Sequence, residues 1–324
     1  IVAVLKLKLL PEESTAIGQR STTNPEAYKF YLMARHYSVM GTMRHQHLIV
    51  RLCRRALEID PNYALAWALL SIGLSILNVI AGEPGDNGLE AAERALALDP
   101  GLPLAHAARA RVLVGLGRYD EAMIEIATAL RFDPDSYEAN AAAGRCAIAT
   151  RRHGDAIAYL EKAAQVYDTD FWALGMALQS YTALGDRPGT RSAARRTLDR
   201  VERVLAAEPD HGTAMGFGVA ALFVLGENER ASELAERAML LDPDNINLHY
   251  NLACAMAKAG LGDRALDLLS GVVNGAQPDG LRWIRVDSDL DSLRSDPRFE
   301  AMLAAAEARH SSPRAGANTA SPKT

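Results

Sequence analysis

Arg94–Pro100 reads RALALDP, and the phrase returns as RALEIDP at Arg55–Pro61, TALRFDP at Thr128–Pro134 and RAMLLDP at Arg237–Pro243. Looser copies are AAQVYD at Ala163–Asp168, VLAAEP at Val204–Pro209 and a segment ending near Gln277. Anchored at Pro61, Pro100, Pro134, Asp168, Pro209, Pro243 and Gln277, the copies lie 39, 34, 34, 41, 34 and 34 residues apart. A period of this length marks a chain made by stacking one small unit. The phrase also says how the unit ends: good helix formers run up to a proline that cannot continue the helix.

Working outward, a new helix is expected three residues past each anchor, with a side chain to pack at its fourth position: Tyr28, Trp67, His106, Asn140, Leu174, Met215 and His249. Between the paired helices stand LGRYDEA at Leu116–Ala122, LGDRPGT at Leu184–Thr190, LGENERA at Leu225–Ala231 and AGLGDRA at Ala259–Ala265. Glycine there permits a positive φ at the end of the first helix. Ala122, Ala156, Ala231 and Ala265 let the second helix approach closely.

These in-phase positions resemble the tetratricopeptide-repeat family over residues 25–280, in units 25–63, 64–102, 103–136, 137–170, 171–211, 212–245 and 246–280. The resemblance implies an all-α fold, a right-handed superhelix (α-solenoid) of about seven helix-turn-helix repeats, each burying its apolar face on its neighbours. Units one and two carry inserts at Gly41–His47 and Ala81–Gly88, and unit five has a lengthened second helix around Arg191–Arg203. A solenoid of this kind is expected to offer a surface rather than a pocket.

Composition agrees with tightly packed helices: of 324 residues, 49% are apolar but only 6% aromatic, too few for a sandwich or barrel. A net charge of −5 gives no general field for nucleic acid or an anionic membrane. Cys53, Cys146 and Cys254 are odd in number and far apart, and read as small buried hydrophobes. The most apolar stretch, Leu69–Ile80, is broken by Ser71, Gly73, Ser75 and Asn78, so a membrane span is not expected; the three cysteines suit a reducing compartment, and a cytoplasmic location is expected.

By the family resemblance, first helices line the concave side and present their fifth and ninth positions: Lys29 and Met33, Ala68 and Ile72, Ala107 and Arg111, Ala141 and Arg145, Gly175 and Gln179, Gly216 and Ala220, Tyr250 and Cys254. Small residues at the fifth position would let a ligand backbone come close. Lys29, Arg111, Arg145, Gln179 and Tyr250 are the candidate ligand contacts. Arg111 and Arg145, one repeat apart, suit two carboxylates of an acidic peptide. The expected partner is a protein or extended peptide of acidic character, or the protein's own upstream domains. The lysine/asparagine carboxylate clamp of chaperone-binding members is missing.

The flanks carry a second resemblance. Leu5–Tyr37 looks like the junction into the repeat region of large bacterial signalling proteins, and Asp289–Phe299 (DLDSLRSDPRF) is similar to the ending of such arrays. In those proteins a class III adenylate/guanylate cyclase domain, or a winged-helix domain, precedes a TolB-like sheet domain and the repeats. Residues 1–24 are accordingly read as the end of an upstream element, 281–309 as a capping segment and 310–324 as a disordered tail. The implied function is a non-catalytic interaction module of a cyclase-type protein, or alternatively the sensory half of a winged-helix regulator. Phosphate-loop, GxGxxG, HExxH and GxSxG motifs are lacking, so no catalytic residue, cofactor or metal is assigned.

Three clusters carry local expectations. Asp287, Asp289 and Asp291 imitate an EF-hand start, but Ser292 and Arg298 stand where Gly and a bidentate acid are required, leaving a solvated turn of capping acids. His45 and His47, in the Gly41–His47 insert with His36 nearby, could ligate a transition metal only with a fourth group from elsewhere, and an exposed polar loop is expected instead. Arg196, Arg200 and Arg203 should form a solvated basic helix face with local ion pairs.

Overall fold

The computed structural model describes residues 22–40, 43–80 and 85–311. Seven helix pairs follow one another: α1 (Pro25–Met40) with α2 (Met43–Ile59), α3 (Ala64–Ile80) with α4 (Leu89–Leu98), α5 (Pro103–Gly115) with α6 (Tyr119–Phe132), α7 (Tyr137–Ala149) with α8 (His153–Val166), α9 (Phe171–Ala183) with α10 (Arg187–Ala207), α11 (Gly212–Leu225) with α12 (Asn228–Leu241) and α13 (Ile246–Lys258) with α14 (Gly262–Gly275). Then come α15 (Pro278–Val286), a 3-10 helix (Ser288–Leu293) and α16 (Pro297–Ser311). No strand occurs among the described residues.

The Asp-Pro phrase works through local hydrogen bonds. Asp60, Asp99 and Asp133 each leave the helix and accept, through Oδ1, the amide two residues on, at 3.1 Å in all three cases. This Asx turn reverses the chain, and the proline blocks the helix from running on. The fourth-position side chain of the next helix then reaches back to the proline carbonyl: Trp67 Nε1 donates to Pro61 at 2.9 Å, Asn140 Nδ2 to Pro134 at 3.2 Å, and His106 Nε2 meets Pro100 at 2.9 Å. Side chain and turn thus fix each other.

Inside each pair the turn glycine takes a positive φ, 74° at Gly117, 69° at Gly185, 85° at Gly226 and 80° at Gly260. Unit four has Arg151 there instead, held at φ 60°. Its side chain makes a two-pronged ion pair with Asp291, at 2.6 and 2.7 Å, which ties the strained turn to the far end of the chain.

First helices of neighbouring pairs pack side by side, and each second helix packs behind its partner. The core accordingly runs the length of the array, with α7 buried at every position from Ala139 to Ala149. Cys53, Cys146 and Cys254 are buried free thiols. Arg196 and Arg200 do not form the expected solvated face. Arg196 grips Glu161 of the preceding pair at 2.6 and 3.0 Å, and Arg200 donates to the Ala164, Tyr167 and Asp170 carbonyls. His45 and His47 lie on α2 rather than on a loop.

The chain end departs from a simple cap. Helix α16 packs on α14, while α15 returns to α3 and α5 and the 3-10 helix sits on α9 and α13. His310, expected to begin a disordered tail, is still helical and its Nε2 lies 3.0 Å from the Ala276 carbonyl oxygen. The rest of that tail, 312–324, and residues 1–21 lie outside the described residues.

Candidate functional site

The concave side is narrowed into a partly covered cavity of about 280 Å³, where an open surface was expected. Two contacts narrow it. Across the array, Arg35 of α1 pairs with Glu138 of α7 and donates to Tyr167 Oη at 3.2 Å. Over the mouth, α15 and the 3-10 helix lie against both halves. Arg282 Nη1 donates to the Gly115 carbonyl at 2.6 Å, and Gly280 passes so near that a Cβ there would sit 3.0 Å from the Val79 carbonyl oxygen.

Asp287 is the centre of this contact. It is 3% exposed, and its carboxylate accepts from Gln179 Nε2, from Tyr250 Oη and, at 2.9 Å, from the Asp289 amide. Its neighbour Asp289 accepts from Lys258 Nζ at 2.9 Å. The acidic triplet is therefore no solvated turn: Asp287 is sealed in the groove, Asp289 is partly buried and Asp291 alone is well exposed. Burial, reinforced by Asp289, raises the Asp287 carboxyl, and the Tyr250 bond pulls it back only in part.

Of the five candidate contacts, Arg111, Arg145, Gln179 and Tyr250 line one cavity. Lys29 does not, because unit one contributes Arg35 and Ser38 from the end of its first helix. The small fifth-position residues are only partly open. Ala107 and Ala141 face the cavity, but the place of a Cβ on Gly175 is taken by the Phe217 ring, and Gly216 abuts Asn251.

Arg111 and Arg145 differ from the other charges on the wall. Arg145 is 8% exposed and lies over the rings of Trp283 at 4.3 Å and Trp172 at 5.9 Å. Arg111 is half-buried on the cavity wall, and its Nε is buried without a partner. Burial, with Arg145 adding repulsion, lowers the Arg111 guanidinium to about 9; burial lowers Arg145 to about 10, with Tyr250 and Asp287 opposing. Both remain cations at neutral pH. Desolvation pushes Asp170, half-buried at the same wall, up to about 6 although the Ala173 and Trp172 amides and Arg200 oppose the shift.

Sequence reasoning missed Arg35, Glu138, Trp172, Trp283 and Asp287. Trp283, Ile284, Leu290 and Leu293 form an apolar set in a short segment that has no repeat to complete, which was the available signal that the segment docks on something. No group of His, Cys, Asp and Glu suited to a metal ion occurs among the described residues, and no helix among them is long and apolar enough to cross a membrane.

A sequence model described as tetratricopeptide repeat matches residues 85–146. No curated protein matches the chain in sequence. Among solved structures, the APC/C hetero-tetramer Cut9–Hcn1 is similar at 15% identity and TM-score 0.56, over 88% of this chain and 57% of that one. The human IFIT1 dimer with m7Gppp-AAAA is similar at 14% identity and TM-score 0.55, over 86% of this chain and 72% of that one. At such identities the likeness speaks for fold alone, and that fold, with its seven in-phase helix pairs, is a tetratricopeptide-repeat superhelix.

Proposed function

We propose that the array is a non-catalytic protein-interaction module whose concave side receives an acidic turn, and that Asp287 holds this place in cis until a partner takes it. The observation that carries the reading is the convergence of Gln179, from the fifth pair, and Tyr250, from the seventh, on one carboxylate. Both donors stand at concave positions, and Lys258 beside them takes the next acid of the same turn. A competing partner would bring its own carboxylates to these donors, with Arg111 and Arg145 deeper in the groove. Cut9, solved with Hcn1, supports a protein-binding use of the fold. IFIT1 is solved with a capped RNA, but the net charge of −5 here favours a protein partner over a nucleic acid.

We assign the module to the cytoplasmic C-terminal region of a bacterial cyclase-type signalling protein on its Asp289–Phe299 ending, with a winged-helix regulator as the second reading. Coding sequence ahead of Ile1 separates the two: metal-binding aspartates on a βαββαβ pattern for the first, a short basic recognition helix for the second.

The test of the docking site is a labelled peptide of sequence Arg282–Arg294 titrated into the full chain. Wild type should bind it at least tenfold more weakly than an Asp287→Ala variant, because the tethered segment competes at high effective concentration. Adding Gln179→Ala and Tyr250→Phe should abolish the gain. Equal affinity of wild type and Asp287→Ala would refute the reading.

A further inference from the structure

The space left beneath the C-terminal segment holds two guanidiniums that no carboxylate bonds, Asp287 acting on Arg145 only at a distance. Arg111 and Arg145 stand at the same position of α5 and α7, one repeat apart, and line one cavity. Neither guanidinium has a hydrogen-bond acceptor among the described residues. Arg145 gains the faces of Trp283 and Trp172, a partial substitute for an anion. Arg111 gains nothing comparable.

The other charged groups on the wall are engaged. Glu138 holds Arg35, Asp289 holds Lys258, Asp170 accepts the Trp172 and Ala173 amides, and Asp287 accepts from Gln179 and Tyr250. Positive and negative charges on the wall therefore balance in number but not in contact: every carboxylate has its donors, while two five-donor forks have no oxygen to meet. Guanidiniums retained in a buried wall without a carboxylate are costly to keep, which favours a ligand over a structural role.

We infer that the cavity is a binding site for one small doubly charged oxyanion, of phosphate or dicarboxylate type, gripped by Arg111 and Arg145 together. The guanidinium fork matches the paired oxygens of either group. A space of about 280 Å³ admits an inorganic phosphate or a four-carbon diacid with water around it, so the paired guanidiniums rather than the volume select the ligand. The site is distinct from the docking of Asp287: the oxyanion occupies what the seated segment leaves open.

The experiment titrates inorganic phosphate and, separately, succinate into the full chain at ionic strength held constant with sodium chloride, reading heat, melting temperature and tryptophan fluorescence. One of the two anions should bind at one equivalent, raise the melting temperature and change the emission of Trp172 and Trp283 beside Arg145. Phosphate alone would assign a phosphate ligand, and succinate alone a dicarboxylate. Arg111→Met and Arg145→Met should each weaken that binding at least tenfold. Without anion, Arg111→Met should melt at or above wild type, because it removes a lone buried charge. Failure of both anions to bind wild type, binding undiminished in Arg145→Met, or an Arg111→Met that melts well below wild type would overturn the inference. So would saturable binding of an acidic peptide with neither anion competing.

Discussion

Arg35 and Arg111 border the same cavity, and their fates are opposite. Burial pulls both guanidiniums down. At Arg35, Glu138 with Tyr167 and Tyr31 more than reverses the pull, and the group ends well above its ordinary value. At Arg111, Arg145 adds to the pull and the group falls to about 9. The repeat places arginines, but contacts across the groove decide which of them is neutralised. Glu138 reaches Arg35 over a separation of 103 residues, whereas nothing comparable reaches Arg111. One guanidinium is held by a carboxylate from across the groove, and the other is not.

The largest effect expected from this contrast comes from breaking the held pair. Glu138→Gln leaves the Arg35 charge buried without its anion and should cost about 3–5 kcal/mol of unfolding free energy in urea titration. A loss below about 1 kcal/mol would mean that water reaches Arg35 and that the two guanidiniums do not differ.

Next in size is the response to pH. Asp170 has a folded value of about 6, above the ordinary carboxyl range, and Asp287 is shifted in the same direction. For an acid raised by folding, the stabilising proton is fully present below the unfolded value and is lost as pH rises through the folded one. Stability should therefore fall between about pH 4 and 7, by about 2–3 kcal/mol for Asp170 alone. Melting temperatures at pH 5.5 should exceed those at pH 7.5, and Asp287→Asn should flatten the profile. A melting temperature rising over this range would contradict both assignments.

Smaller again is Arg111→Met, which swaps a lone charge for an apolar chain of similar length and should gain about 1 kcal/mol in the anion-free protein by urea titration. The smallest change is Arg151→Gly. It relieves a left-handed arginine, worth about 1 kcal/mol, and loses an ion pair to Asp291 whose partners are both over two-fifths exposed, worth about 0.2–1 kcal/mol. Calorimetry should find a net change within about 0.5 kcal/mol, together with faster exchange in the 3-10 helix.

What the sequence disclosed follows the range of the interactions. Helices begin at Ala64, Pro103, Tyr137, Phe171, Gly212 and Ile246, each three residues past its anchor, because the Asx turn and the back-bond to the proline carbonyl span only two to six residues. Arg111, Arg145, Gln179 and Tyr250 fall on one cavity because a fixed period keeps equivalent positions on one side. Lys29 fails the same rule where unit one meets the fourth pair and turns its chain end, not its middle, to the cavity. The closing segment was illegible for the opposite reason. Asp287 meets Gln179 over a separation of 108 residues and Tyr250 over 37, and no local pattern distinguishes a carboxylate that caps a turn from one that docks. Arg151 hid the same connection, since an arginine at a glycine position makes sense only beside Asp291.

Residues 278–293 seat in the groove through Asp287 and Arg282, and hydrogen exchange of their amides measures that seating. In wild type the α15 and 3-10 amides should exchange as slowly as those of α9 and α13, on which the 3-10 helix rests. In Asp287→Ala their protection should fall at least tenfold while the seven helix pairs keep theirs. Exchange of 278–293 at coil-like rates in the wild-type chain would contradict the covering of the cavity by this segment.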